Sequence, residues 1–389
     1  MSSRPCFGGK LSTDTAILVV DALATVSPTS LLSFCLVSRN CYDLAFGPIH
    51  RSIIVNECRS TTELLSRIIN NEEIQNYVRK ITVNSIQSDA IFELLATLIA
   101  KLKRLEDFRF IYNSYFILSM LMIVPRWEIF KMIPKVVINN LHAYAPQARL
   151  HIVASGIQIN QLPPLLLNSP CLYSLKASTH YYGGPNMLNT LQEIVMSCPN
   201  LRIFHLTTRL DGSVASGDFV FQPGQSLPPL TELKFDGYSW RQSWADYMDW
   251  SQLQRLELSN FDVVQSIAPK LTDLRSIKLT QKVWRADDSS VERVNAFLSN
   301  CQSLEEIDLT GYTSLVPISI FLRHGKTLRR LKVHGLESIK GVCEPRLLSV
   351  DDLNEIKVNC TNLEELAIYI NHQNEWVSHD VHCISANKW

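Results

Sequence analysis

A chain of 389 residues is too long for one compact core but suits an architecture that grows by adding similar units. Lys plus Arg and Asp plus Glu number 37 each, so the formal charge is zero and no cationic field for nucleic acid or an acidic membrane is expected. With only 14 glycines and no low-complexity tract, order is expected almost throughout.

No segment reads as a membrane span or leader. The richest apolar run, 116–124, falls short of the roughly 20 residues that cross a bilayer. Ala16–Val20 is interrupted by Asp21 and lacks the basic flank of a secretion signal. The ten cysteines form no Cys-x-x-Cys pair, which suits a reducing compartment, cytosolic or nuclear, and makes the Asn359-Cys360-Thr361 sequon accidental.

In chain order, the first fifty residues stand apart. Apolar stretches around Leu11–Ala16, Ile17–Leu23 and Leu31–Ala45, punctuated by polar caps and Pro28, predict a small helical bundle. From His50 onward short β-prone runs alternate with helical windows. The strands are expected at Ser52–Val55, Val78–Val83, Leu105–Ile111, Leu150–Val153 and Leu172–Ala177, and the helices at Thr61–Asn70, Ala90–Leu102 and Ile129–Tyr144. The interval 111–150 is too long for one repeat and predicts an extended or doubled helix broken at Pro125 and Pro134.

A phrase of the form Leu-x-x-Leu-x-Leu then returns at intervals of roughly twenty to thirty-odd residues, the mark of a leucine-rich-repeat solenoid. It stands at Leu201–Phe204–Leu206, Leu230–Leu233–Phe235, Leu253–Leu256–Leu258, Leu274–Ile277–Leu279, Leu304–Ile307–Leu309, Leu328–Leu331–Val333 and Leu363–Leu366–Ile368. With the earlier runs this predicts about twelve strands. Helices are expected between copies at Asn186–Cys198, Ser290–Cys301, Pro317–Gly325 and Val350–Cys360. Cys198, Cys301 and Cys360 each precede a repeat leucine by three positions, and lone thiols so placed suit packing under a turn better than redox chemistry.

If the leucines point inward, the residues between them face the concave side of the sheet. One row then reads Lys176, His205, Lys234, Glu257, Lys278, Asp308, Lys332, Ala367, and the row two residues earlier runs from Ser174 and adds Glu232, Arg255, Glu306, Arg330 and Glu365. Lys176, His205, Lys234, Arg255, Glu257, Lys278, Asp308, Arg330 and Lys332 are the candidate substrate-binding residues; the lysines suit an acidic or phosphorylated segment. The alternative is a solvated face whose charges prevent aggregation. The loop 210–229 is rich in Gly and Pro and predicts an excursion between repeats. After it, Trp240, Trp244, Tyr247 and Trp250 are either edge packing or an apolar anchor for a partner.

The N-terminal residues Leu31-Leu32-Ser-Phe34-Cys-Leu36-Val37-Ser38-Arg39, followed by Leu44-Ala45, Pro48 and Arg51, resemble the second half of an F-box. Leu11, Asp14, Val19, Val20 and Leu23 fit that family's opening helix. Ser12 stands where the family usually has Pro, and Cys41 where it has an aromatic. With repeats following directly, the whole chain resembles the F-box/leucine-rich-repeat family, substrate receptors of Skp–cullin–F-box ubiquitin ligases. The resemblance implies a Skp-type adaptor as partner, through it a cullin, and an unknown protein substrate held on the repeats. It places Leu11, Leu23, Leu31, Leu32, Leu36 and Val37 in adaptor-facing or bundle-forming roles, with Pro28 at the turn between helices. The alternative is that these leucines serve only a local core, in a repeat scaffold that binds no adaptor.

No nucleotide-binding loop, nucleophile elbow or His-Glu-x-x-His pair is present, so a non-enzymatic adaptor without cofactor is expected. Asp351-Asp352 after Ser349 reads as an acidic first helical turn. His372, His379, His382 and Cys383 match no common zinc spacing and read as a polar tail rather than a metal site. The expected organisation is an α/β chain: a helical F-box bundle over 8–50, divergent repeats over 51–160, leucine-rich repeats over 161–372 forming a horseshoe with a parallel concave sheet, and a cap or tail over 373–389.

Overall fold

The computed structural model describes residues 12–86, 88–113, 133–155, 164–179, 186–208, 219, 221–236, 245–259, 267–280, 288–310, 316–334, 348–368 and 384–385. The chain divides into two compact units, Met1–Gly156 with Gln161–Ser174, and Ile157–Asn160 with Leu175–Trp389. Among the described residues, no helix is long and apolar enough to cross a membrane.

The first unit opens with helices α1 (Thr13–Val26), α2 (Pro28–Cys35) and α3 (Arg39–His50). The two opening apolar stretches join into one helix because no breaker lies between Ala16 and Ile17. Ser12, standing in place of a family proline, caps it by accepting the Thr15 amide. Leu31–Ala45, read as one stretch, instead splits after Leu36. There Ser38 caps α3 by accepting the Cys41 amide at 3.2 Å. Pro28 sits in the first turn of α2, where its missing N–H has no helical partner to lose. Val20, Leu31 and Ala45 form the bundle core, with Leu23, Phe34, Leu44 and Ile49 packed around it.

Helix α3 runs directly into strand β1 (Ser52–Asn56). The Phe46 ring meets His50 and Tyr77 edge-on, and Gly47 makes room for Tyr77, whose ring would lie 2.9 Å from any Cβ there. The alternation then continues through α4 (Arg59–Ile69), α5 (Glu72–Tyr77), β2 (Lys80–Asn84), α6 (Asp89–Lys101), β3 (Asp107–Asn113), α7 (Lys135–Tyr144) and β4 (Arg149–Ser155). Short α5, capped by Asn71, was not legible as a helix because its six residues hold too few apolar positions for a period. The strands are parallel and in register, so Ile53, Ile81, Phe108 and Leu150 stack as one buried column. Val55, Val83, Phe110 and Ile152 stack as a second.

Strand β5 (Leu172–Thr179) crosses the division between the units. In the second unit β6 (Ile203–Thr208), β7 (Glu232–Asp236), β8 (Arg255–Leu258), β9 (Ser276–Thr280), β10 (Glu306–Thr310), β11 (Arg330–His334) and β12 (Glu365–Ile368) pair in parallel. β13 (Ile384–Ser385) lies antiparallel on β12. Helices α8 (Asn186–Ser197), α9 (Asp288–Asn300), α10 (Ile318–Arg323) and α11 (Val350–Asn359) fill the longer links. The shorter links carry 3-10 turns at Trp250–Gln252 and Ala268–Lys270, which need fewer residues to return the chain. Strand–helix order and parallel pairing within each unit are compatible with leucine-rich repeats.

One backbone device recurs at the entrances of β7 to β12. A single carbonyl accepts two successive amides from the next repeat: Arg202 from Thr231 and Glu232, Thr231 from Gln254 and Arg255, Gln254 from Arg275 and Ser276. Arg275, Glu305 and Arg329 do the same further along. The repeat side chains are inward as expected, with Leu233, Leu256, Ile277, Ile307 and Leu331 stacked in register and buried.

The thiols of Cys198, Cys301 and Cys360 are buried at the ends of α8, α9 and α11. Burial raises the Cys301 thiol to about 12, which keeps it protonated and inert. In the first and last of these turns the repeat leucine amide returns to the cysteine carbonyl (Leu201 to Cys198, Leu363 to Cys360). In the middle one the Leu304 amide donates instead to Nδ1 of His324, whose Nε2 lies 3.2 Å from the Leu298 carbonyl. A ring that accepts at Nδ1 must be neutral and donate at Nε2. Beside it, Gly325 lies so close to α11 that a Cβ would stand 2.3 Å from the Asn359 carbonyl oxygen. Ser349 and Asp352 form a reciprocal capping box at the start of α11, giving the acidic first turn its structural role.

Gly325→Ala should lower unfolding stability by about 1–3 kcal/mol in a urea titration, because the backbone of two packed elements must separate. His324 is buried and its pKa is lowered by that burial. Below the unfolded value of about 6.5 the unfolded chain therefore binds more protons, and stability should fall as pH drops from 7 towards 5. Melting temperatures across that range should fall less steeply for His324→Gln than for the parent.

Candidate functional site

Two surfaces stand out, each produced by residues that the local fold turns outward. On the N-terminal helices only one stripe of each helix meets the small core. Leu31 is 3% exposed, whereas Leu32, Leu36 and Val37 on the other side of α2 and its C-terminal turn are 57%, 88% and 68% exposed. Leu23 is half-buried against the core, and Leu11 lies outside the described residues. Helix α1, packed against α2, adds exposed Ile17, Leu18, Val19 and Val26. Of the seven residues assigned to adaptor docking, Leu31 thus builds the bundle, Pro28 starts α2, and Leu32, Leu36 and Val37 face solvent. The sequence signal for Ile17 and Leu18 was present as apolar residues beyond the width of one helical stripe.

The second surface is the outer face of β6–β11, a groove of about 240 Å³ lined by His205, Lys234, Glu257, Lys278, Asp308 and Lys332 together with their neighbours one row earlier. Strand alternation sends the leucines inward and these residues out. Their charges are paired to one another. His205 Nε2 lies 2.7 Å from Glu232, Lys234 lies 2.7 Å from Glu257, and Glu257 is also 3.5 Å from Lys278. Lys278 stands 4.0 Å from Asp308, Arg330 3.1 Å from Glu306, and Lys332 2.6 Å from Glu365. The hydrogen bond from His205, with Lys176 and Arg255 nearby, holds the Glu232 carboxyl below its usual range despite burial. The lysines expected to await an acidic segment are thus already engaged by carboxylates of adjacent strands. The signal was legible in the row itself, where sign alternates from Lys234 to Lys332.

The face ends earlier than the row suggested. Ala367 and Ser174 are buried, so neither contributes to it. In the first unit the corresponding rows bring together residues that were not singled out. Asp107 accepts Arg149 at 2.8 Å and His151 at 3.2 Å, with Lys80 at 3.8 Å, while Arg149 lies over the Tyr173 ring. Burial would raise the Asp107 carboxyl, but these hydrogen bonds outweigh it and hold it low.

The aromatic insertion is packing where it is described. Trp250 is 1% exposed and donates its indole N–H to the Ala245 carbonyl at 3.1 Å, so it cannot serve as a surface anchor. Tyr247 stacks on Phe221 with centroids 4.5 Å apart. Trp240 and Trp244 lie outside the described residues, as do His372, His379, His382 and Cys383. Among the described residues no cluster of three His, Cys, Asp or Glu side chains is placed to hold a metal ion.

The contrast between frame and face is measurable. Glu257→Gln breaks contacts to both Lys234 and Lys278, yet these partly exposed pairs should change stability by less than about 1 kcal/mol. Neighbouring Leu256→Ala should cost about 2–5 kcal/mol, because it opens a cavity in the stacked column. Paired urea unfolding curves of the two variants would expose the difference.

No protein-family model matches this chain. No curated protein matches it either. Among solved structures it is similar to the crystal structure of a Rad7 and Elc1 complex in yeast, at 14% identity and a TM-score of 0.39, covering 81% of this chain and 86% of that one. A likeness at that score is too loose to bear on function.

Proposed function

We propose that this chain is a non-enzymatic substrate receptor of a Skp–cullin–F-box type ubiquitin ligase. The N-terminal helices dock a Skp-type adaptor, and the repeats hold the protein to be modified. The observation that carries this reading is the division of labour within one short helix. Leu31 is spent on the bundle core, while Leu32, Leu36 and Val37 stay in water. A bundle this small cannot cover so many apolar groups, and a partner surface that does so gains the burial energy. The F-box resemblance supplies the identity of that partner, and its two departures have local uses: Ser12 caps α1 and Cys41 packs inside the bundle.

The repeats suit the second half of the role. They offer an extended, polar, ordered face and no described constellation of nucleophile, base and oxyanion donors. In this reading ubiquitin transfer takes place on other subunits, and the chain contributes proximity by holding its target near them. Within the first unit, α3 continues into the first repeat through Phe46, Gly47 and Tyr77.

Co-purification with a Skp-type adaptor tests this. The full-length chain should retain the adaptor stoichiometrically. Leu32→Asp combined with Leu36→Asp should abolish retention without altering the melting of the repeats, because both side chains already face solvent. Equal recovery by both versions, or none by either, would replace this reading with a repeat scaffold that binds no adaptor.

A further inference from the structure

The pairing on the outer sheet face has a consequence for what the repeats can hold. The register sets Lys234 beside Glu257, Glu257 beside Lys278, Lys278 beside Asp308 and Asp308 beside Lys332. Five neighbouring strands therefore carry a line of alternating sign, positive at both ends, with about 4.8 Å between charges. Adjacent Glu232, Arg255, Ser276, Glu306 and Arg330 form a second row of mixed sign. We propose that this face binds an unphosphorylated helix of alternating charge, laid across the strands, rather than an acidic or phosphorylated segment. The inference deepens the receptor reading by naming the chemistry of the captured segment.

Contacts along the ladder sum over neighbours. A uniformly acidic segment lying along the ladder meets three lysines and two carboxylates, so two of its five contacts are repulsive. A segment of sequence sign minus, plus, minus, plus, minus meets an opposite charge at every position. Exposed pairs of this kind are individually weak, so discrimination comes from the pattern and not from any one contact.

Spacing chooses the conformation. The ladder from Lys234 to Lys332 spans four inter-strand steps, about 19 Å. A helix presents one side chain per turn at about 5.4 Å, and about thirteen residues cover the same length. An extended strand presents same-face side chains about 6.7 Å apart and falls out of step after two contacts. Within a helix, Glu and Lys one turn apart also support each other, so the segment is ordered by the same pattern that the face reads.

The test uses the full-length chain and lactam-bridged helical peptides of about sixteen residues, since unbridged helices of that length are marginal in water. One carries Glu, Lys, Glu, Lys, Glu at one-turn intervals, and the other replaces all five with Glu or phosphoserine. In fluorescence anisotropy at about 50 mM salt, the alternating peptide should bind at least about tenfold more tightly. Lys278→Glu should weaken it by about tenfold, and an alternating peptide with Lys at its central position should restore binding to that variant. Lys278→Gln, which introduces no like-charge contact, should weaken it by about threefold and guards against loss through misfolding. Tighter or equal binding of the phosphoserine peptide, or failure of the reversed peptide to restore binding, would overturn the proposal. Adaptor retention by the same preparation keeps the two readings apart. Retained adaptor with no peptide discrimination sinks this inference alone, and discrimination without adaptor sinks the receptor reading alone.

Discussion

Parallel, in-register stacking is the constraint from which the other features of this chain follow. A single repeat of one strand and one return segment exposes a leucine face it cannot bury by itself, so each repeat depends on the next to cover it. The register that aligns Leu233, Leu256, Ile277, Ile307 and Leu331 closes the apolar column, and a shared carbonyl at the entrances of β7 to β12 satisfies two amides as the chain steps forward. Variation is then confined to the return segments. Some links carry helices and others 3-10 turns, and both deliver the chain back to the same register. His324 and Gly325 show how tightly this works, one replacing a turn's own acceptor and the other admitting a backbone at close range.

The same register decides what happens outside. If inward side chains must align, the outward ones align too, and charges on successive strands are brought to the spacing of the sheet. Like charges at that distance destabilise a ladder and opposite ones support it. The alternation from Lys234 to Lys332 is the solution that lets a charged face coexist with a stacked core. It also leaves the face nearly self-neutralised, with its lysines engaged by Glu257, Asp308 and Glu365. A surface of this kind distinguishes partners by the order of their charges more than by their sum.

The N-terminal helices obey a different balance. Their core is built from Val20, Leu31 and Ala45, too few groups to cover the rest. The excess remains outside at Leu32, Leu36 and Val37, and on α1 at Ile17, Leu18 and Val19. Aromatic packing at Phe46 and Tyr77 ties α3 to the first repeat, so the helices and the first strands form one compact unit. An apolar surface held on such a base is ordered before any partner arrives, which limits the entropy lost on binding.

By itself the sequence determined the period, the number and placement of the parallel strands, the inward leucines and the burial of the cysteines that precede them. Each of these is a local pattern repeated many times, and a repeated pattern survives the ambiguity of any one copy. It also contained the alternating row of charges, though not the fact that they pair. Tertiary structure alone decided the rest. It separated Leu31 from Leu32, because which side of α2 faces the core depends on where α1 and α3 lie. It buried Ser174 and Ala367 against expectation and decided for packing over anchoring at Trp250, because exposure is a property of neighbours distant in the chain. And it turned lysines that looked open into engaged ones, because their partners stand one strand away, some twenty to thirty residues along the sequence, where only the parallel register can bring them.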